Sequence, residues 1–202
     1  MTKICILDYG LGNIKSLSNA LKKIGFKCDY YSDRKKKNYD LIFLPGVGSF
    51  QLASKHIKEK KIDIFIKKSL ENETKLFGIC LGMQLLFKKG YENGVSKGLH
   101  YFDGEVKKVK GTKILPIVGW KKTFFEDKNF SMFTNSKFYY CHSYEAKFVK
   151  KKNILSFALN QNKSKYVSSV FKDNIIATQF HPEKSGEVGL NFLNYSIKKL
   201  VK

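Results

Sequence analysis

Lys75-Leu76-Phe77-Gly78-Ile79-Cys80-Leu81-Gly82-Met83-Gln84-Leu85-Leu86-Phe87 decides how this chain folds. Its apolar start has the pattern of a buried strand, Gly78-Ile79-Cys80-Leu81-Gly82 makes a tight turn, and Met83 to Phe87 begins a helix. In a strand-to-helix elbow of this kind the two glycines let neighbouring backbone pass close by. Cys80 is then expected to point out of the sheet with its sulfur at a helix N-terminus. Unsatisfied N–H groups and the helix dipole favour a thiolate there, the form that attacks carbonyls. A nucleophile so placed needs a base and an oxyanion site from elsewhere in the chain.

Upstream, a first strand over Met1 to Asp8 leads into Asp8-Tyr9-Gly10-Leu11-Gly12-Asn13. Asn13 can cap a helix whose apolar face is Ile14, Leu17, Leu21 and Ile24, closed by Gly25. Gly10 and Gly12 lack the third glycine and the lysine of a phosphate loop, so a tight turn is the better reading. Strands are expected at about Phe26–Tyr31 and Tyr39–Leu44, a strand–helix–strand rhythm that predicts a parallel α/β sheet. Pro45-Gly46-Val47-Gly48 comes directly after that third strand, at the sheet end where such folds bind ligands. Its amides at Val47 or Gly48 are candidate oxyanion donors beside Cys80, against the plainer reading of an ordinary loop.

Two helices are expected over about Phe50–Lys60 and Ile62–Asn72, ahead of the elbow. Beyond Leu99 the texture changes to short strand-like runs near 103–109, 114–118, 137–141, 154–159, 166–171 and 175–180, read as additional, partly antiparallel strands. Val188, Phe192, Tyr195 and Leu200 give Gly186–Val201 the spacing of a closing helix. Just before it stands Thr178-Gln179-Phe180-His181-Pro182-Glu183-Lys184-Ser185, again after a strand. His181 suits a general base and acid, and Glu183 suits the carboxylate that orients it, with Pro182 stiffening the link. A lone histidine after a strand is usually structural. Chance production of both Gly-x-Cys-x-Gly and His-Pro-Glu, however, has an expectation on the order of 10⁻⁴ per chain, so coincidence loses.

Composition narrows the function. At 202 residues with 43% hydrophobic content the chain can bury one sizeable core, which points to a single domain over 1–202. There is no apolar run long enough for a membrane span, and Asp8 arrives too early for a signal peptide. Cys5, Cys28, Cys80 and Cys141 show no Cys-x-x-Cys spacing, and His56, His100, His142 and His181 form no ligand-spaced cluster. A reduced, cytoplasmic protein with neither metal nor cofactor is expected. The net charge of +21 suggests nucleic acid, but Arg34 is the one arginine and the lysines are scattered. Runs such as Lys35-Lys36-Lys37 and Lys150-Lys151-Lys152 read as solvated loop charge, so no nucleic-acid partner is expected.

Gly78-Ile79-Cys80-Leu81-Gly82-Met83-Gln84, Pro45-Gly46-Val47-Gly48 and His181-Pro182-Glu183 together resemble the class I (triad) glutamine amidotransferases. Asp8 to Asn13, Gly119-Trp120, His142-Ser143-Tyr144 and Pro182-Glu183-Lys184-Ser185 narrow this to the glutaminase subunits of imidazole glycerol phosphate synthases, across essentially the whole chain. The resemblance implies a flavodoxin-like α/β fold, its central sheet mostly parallel, with helices on both faces and extra antiparallel strands. It implies a Cys80–His181–Glu183 triad that hydrolyses L-glutamine, with oxyanion donors at Leu81 and at Val47 or Gly48. Gly48, Gln84, Glu92, Ser143 and Tyr144 would line the glutamine pocket, Glu92 meeting the substrate ammonium. Ammonia would pass to a (β/α)₈ cyclase subunit of a heterodimer, docked over Asn13, Trp120, Tyr139 and Lys184. Ordinary packing is the competing reading for Trp120 and Tyr139. The family usually reads Pro-His-x-Gly-Trp-Asn where this chain has Pro116-Ile117-Val118-Gly119-Trp120-Lys121. That departure leaves open a paralogue feeding a nucleotide-sugar amidotransferase of surface-glycan synthesis. A cysteine peptidase or deglycase-like hydrolase on the same elbow is disfavoured by Gln84 and His142-Ser143-Tyr144.

Overall fold

A computed structural model of the chain describes residues 2–31, 38–112 and 114–201; Arg34 and Lys35-Lys36-Lys37 lie outside them. The first part is the expected alternation: β1 (Ile4–Ile6), α1 (Ile14–Lys23), β2 (Cys28–Tyr30), β3 (Leu41–Leu44), α2 (Phe50–Glu59), α3 (Ile62–Glu71), β4 (Lys75–Ile79) and α4 (Leu81–Leu85). The rest is rich in strands: β5 (Phe87–Gly90), β6 (Ser96–Lys97), β7 (Phe102–Lys108), β8 (Ile117–Phe125), β9 (Lys137–His142), β10 (Tyr144–Lys147), β11 (Ile154–Leu159), β12 (Lys165–Lys172) and β13 (Ile175–Thr178). Helix α5 (Gly186–Val201) closes the chain.

Among the described residues nine strands form one sheet in the order β2-β1-β3-β4-β13-β12-β11-β8-β9. Its first five strands are mutually parallel, and the extra antiparallel strands continue the same sheet from β13 outward. Strands covered by helices on both sides must be apolar throughout, with successive residues on opposite faces. Ile4, Ile6, Leu41, Phe43, Phe77 and Ile79 share one cluster with Leu17 and Leu21 of α1 and Phe192 and Ile197 of α5. Cys5, Leu7, Ile42, Leu44 and Leu76 share the other with Ala53 and Ile57 of α2 and Ile62 and Ile66 of α3. Burial of each Leu, Ile or Phe side chain among them contributes about 1.5–3 kcal/mol. Asn13 caps α1 as expected, its side-chain oxygen accepting from the Ser16 N–H at 3.2 Å, and Gly25 comes after the helix at φ +85°.

Two local expectations change. The helix begun after the elbow is only five residues long, and Phe87 opens a strand instead. The Leu85 and Leu86 carbonyls accept from the N–H groups of Leu99, Tyr101 and Phe102, which draws the backbone out of the helix. The resulting β5 joins β6, β7 and β10 in a second, four-stranded sheet in the order β10-β7-β5-β6, of which only β7 was expected from the sequence. Of the run expected near 114–118, Ile114, Leu115 and Pro116 are not strand; β8 begins only at Ile117 and continues to Phe125, against both β9 and β11.

Candidate active site

β4 and β13 are adjacent parallel strands in register Ile79↔Thr178, so the segments leaving their carboxyl ends emerge at the same edge of the sheet. Cys80 comes directly after β4 and donates its backbone N–H to the Thr178 carbonyl at 2.7 Å. Its backbone sits at φ 54° and ψ −107°, a conformation that costs a non-glycine residue about 1–3 kcal/mol and clusters at functional sites. Close packing on both sides holds it there. A Cβ at Gly82 would lie 1.7 Å from the Leu44 carbonyl oxygen, and one at Gly46 would lie 2.9 Å from Leu81 Cβ. The motif glycines therefore let the β3 loop and the elbow press against each other.

His181 lies three residues beyond β13. Its backbone N–H donates to the Tyr139 carbonyl at 2.9 Å, and Ser185 Oγ donates to the His181 carbonyl at 2.6 Å while accepting from the Tyr139 N–H at 2.9 Å. The imidazole Nδ1 meets Glu183 Oε1 at 2.9 Å, from a one-turn 3₁₀ helix that begins at Pro182. Both side chains are buried, at 3% and 5% exposure. Burial disfavours a charge on His181, but the neighbouring Cys80 sulfur and the Glu183 carboxylate more than offset it, and its pKa is pushed up to about 10. Cys80 and His181 line the same cavity and the sulfur is among the groups that raise the imidazole's pKa, so the three side chains expected to form a triad lie together.

Cys80 and His181 open onto a cavity of about 390 Å³, walled by Val47, Gly48, Ser49, Leu81, Gln84, Glu92, Ser143 and Tyr144 among others. Every residue expected of the oxyanion site and the glutamine pocket is therefore in its wall. Tyr9 Oη donates to the Pro45 carbonyl at 2.6 Å and anchors the loop that carries Val47 and Gly48. Glu92 Oε2 accepts from the Phe50 N–H at 2.7 Å, supplying the cap that the Ser49 side chain does not give α2. Burial, and then Glu92, push the Tyr144 phenol above its ordinary pKa. Gln84 lines the wall with its amide nitrogen already donating to Tyr144 O and to Gln179. Trp120 is half-exposed and opposite Tyr139 across β8 and β9, ring centroids 6.3 Å apart; Lys184 and Asn13 are exposed. Tyr9, Gln179 and Ser185 stand in the quoted motifs without a role there, and the fold places each against the site. For Gln179 the one signal in the sequence is a polar residue between the apolar strand end and Phe180, where a buried amide must find partners.

A cysteine on a strand-to-helix elbow, with a His–Glu pair leaving the adjacent strand, is the kind of arrangement that triad hydrolases use for acyl transfer. The chain belongs to the class-I glutamine amidotransferase family, whose sequence profile matches residues 5–198. It is 41% identical over 204 residues to the imidazole glycerol phosphate synthase subunit HisH 2 of Methanococcus maripaludis, covering 97% of this chain and 99% of that one. It is 40% identical over 199 residues to the subunit HisH 1 of Campylobacter jejuni, covering 94% and 96%. Among solved structures, PurLQS from Thermotoga maritima superposes with a TM-score of 0.78 at 20% identity, over 99% of this chain and 100% of that chain. A glutamine amidotransferase from the same organism gives 0.67 at 14% identity, over 100% and 98%. At those identities the structures speak for the fold alone. No helix of the described residues is long and apolar enough to cross a membrane.

Proposed function

We propose that this chain is the glutaminase subunit of an imidazole glycerol phosphate synthase, releasing ammonia from L-glutamine for a cyclase partner. One observation carries the reading: a buried imidazole hydrogen-bonded to the Glu183 carboxylate and sharing one cavity with Cys80, at the ends of neighbouring parallel strands. The relatives' shared name supports histidine biosynthesis over the glycan pathway.

In this reading the Cys80 thiolate adds to the glutamine side-chain carbonyl, and the charge that develops on oxygen is met by the Leu81 N–H and by Val47 or Gly48. His181, held protonated beside sulfur and Glu183, gives its proton to the departing nitrogen. The same imidazole, now neutral, takes a proton from water as the water attacks the glutamyl thioester; glutamate leaves and Cys80 is restored. Gly48, Gln84, Glu92, Ser143 and Tyr144 hold the substrate, Glu92 facing its ammonium group. The half-exposed Trp120 and Tyr139, with Asn13 and Lys184, form the face on which a (β/α)₈ cyclase subunit docks to receive ammonia before solvent protonates it.

Replacing Cys80 by alanine tests the assignment. Glutamine hydrolysis should vanish, while ammonia-dependent synthesis by the assembled complex continues. Retention of glutamine hydrolysis in Cys80→Ala would overturn it.

A further inference from the structure

Behind the sulfur runs a chain of buried amide contacts. Gln84 Nε2 donates to the Tyr144 carbonyl and to Gln179 Oε1, each at 3.0 Å. Gln179 Nε2 donates in turn to Cys80 Sγ at 3.7 Å, within reach for the larger sulfur atom. Gln179 is fully buried and Gln84 nearly so. The direction of every link is dictated by its end. A backbone carbonyl can only accept, so Tyr144 O requires Gln84 to present its amide nitrogen. The same nitrogen requires an oxygen from Gln179, which leaves the Gln179 NH₂ facing sulfur. His142 secures the fixed end: its Nδ1 lies 2.9 Å from the same Tyr144 carbonyl, and a ring kept neutral by burial must carry its hydrogen on that nitrogen to donate.

We infer that Gln179 is a further catalytic group, whose amide hydrogen-bonds the Cys80 thiolate and couples it through Gln84 to the Ser143-Tyr144 segment of the glutamine pocket. The inference rests on Cys80 being the nucleophile, as proposed above. A neutral donor suits the position. It favours the anion before attack, and the long contact to sulfur is weak enough to be given up when negative charge moves to the substrate oxygen. Because the donor is fixed through three partners rather than by solvent, it needs no reorganisation as the reaction proceeds. Substrate seated against Ser143 and Tyr144 therefore adjusts the nucleophile through the same contacts that recognise it.

Two substitutions separate the donor from the packing. Gln179→Leu removes both ends of the amide, while Gln179→Glu keeps the shape and the oxygen that accepts from Gln84 but puts an acceptor against sulfur. The first readout is the pH dependence of alkylation by iodoacetamide, followed on the Cys80 peptide by mass spectrometry; the second is kcat and KM for glutamine. The acid limb of the alkylation profile reports the coupled Cys80–His181 pair. Losing a donor to the thiolate delays formation of the ion pair, so that limb should move to higher pH by about one unit, further for Glu than for Leu. The value of kcat should fall about tenfold with a much smaller change in KM. If Gln179→Leu does not fold, Gln179→Glu and Gln84→Leu carry the test, the latter shifting the limb less in the same direction because the freed Gln179 amide can rotate. Folded variants whose alkylation profiles coincide with the parent chain's would overturn the inference and leave the Cys80 assignment standing. Hydrolysis surviving in Cys80→Ala would instead remove the ground beneath both.

Discussion

Tyr9→Phe deletes one hydroxyl from a fully buried side chain and with it the 2.6 Å hydrogen bond to the Pro45 carbonyl. The phenol is a dependable donor, because burial and the nearby Cys80 charge hold its pKa above the ordinary value. Phenylalanine fills nearly the same volume, so the main loss is a buried carbonyl left without this partner, about 1–3 kcal/mol. For a chain of this size each kcal/mol lowers Tm by about 2–4 °C, so a central loss of about 2 kcal/mol corresponds to about 4–8 °C. Equilibrium urea unfolding should show a lower midpoint at unchanged m-value, the pattern of a local loss without a change in compactness. Glutamine turnover should fall as well, since the freed loop carries Val47 and Gly48. Gly46→Ala provides an internal check, because its Cβ would sit 2.3 Å from Tyr9 Oη and 2.9 Å from Leu81 Cβ. Removing the hydroxyl relieves one of those two clashes, so the double variant should be less damaged than the sum of the single ones. A Tyr9→Phe protein within about 0.5 kcal/mol of the parent, with unaltered turnover, would refute the anchoring role.

Gly82→Ala places a methyl 1.7 Å from the Leu44 oxygen and 2.8 Å from its carbonyl carbon, backbone that cannot rotate aside. A loss of about 4 kcal/mol or more is expected, read as a fall in soluble yield or in unfolding midpoint. His142 is held neutral by burial, with its pKa lowered to about 4 despite the helpful Tyr144 carbonyl. Between about pH 6.5 and 4 the unfolded chain binds a proton that the folded one refuses, so stability falls as pH drops through that window. In His142→Gln the acid-side slope should be shallower by up to about 1.4 kcal/mol per pH unit, measured by urea unfolding at several pH values. Equal slopes would mean that the ring does not stay neutral in the fold.

The parallel half of the sheet was legible because β1, β3 and β4 are short apolar runs separated by amphipathic helices and punctuated by glycine. The proposed triad stood out for a related reason. A nucleophile, a base and an orienter need rare residue types at strand ends, and Cys80, His181 and Glu183 stand in short motifs with glycine or proline beside them. The second sheet was not legible. Phe87-Lys88-Lys89-Gly90 and Ser96-Lys97 have no strand pattern of their own, and they pair because their partners across the sheet offer N–H and C=O groups. Helix α4 ends early for the same kind of reason, as distant N–H groups claim its last carbonyls. Gln179 escaped notice because an amide advertises nothing in sequence, and the role proposed for it comes from contacts that only the fold brings near. The departure at residues 117 and 121 has a plain structural content: Ile117 is buried opposite His142 on the β8–β9 pair, and Lys121 is partly buried opposite Phe138.

Strand β13 is the last strand in the chain yet lies at the middle of the nine-stranded sheet, between β4 and β12. During synthesis Cys80 is therefore made about a hundred residues before His181, and β4 waits with one edge unpaired until β13 arrives. Chains halted before residue 175 would present that apolar edge to one another, a template for clumping rather than for chemistry. The same late insertion brings His181 beside Cys80 only once β13 has paired with β4, so the proposed site cannot assemble in a half-made chain.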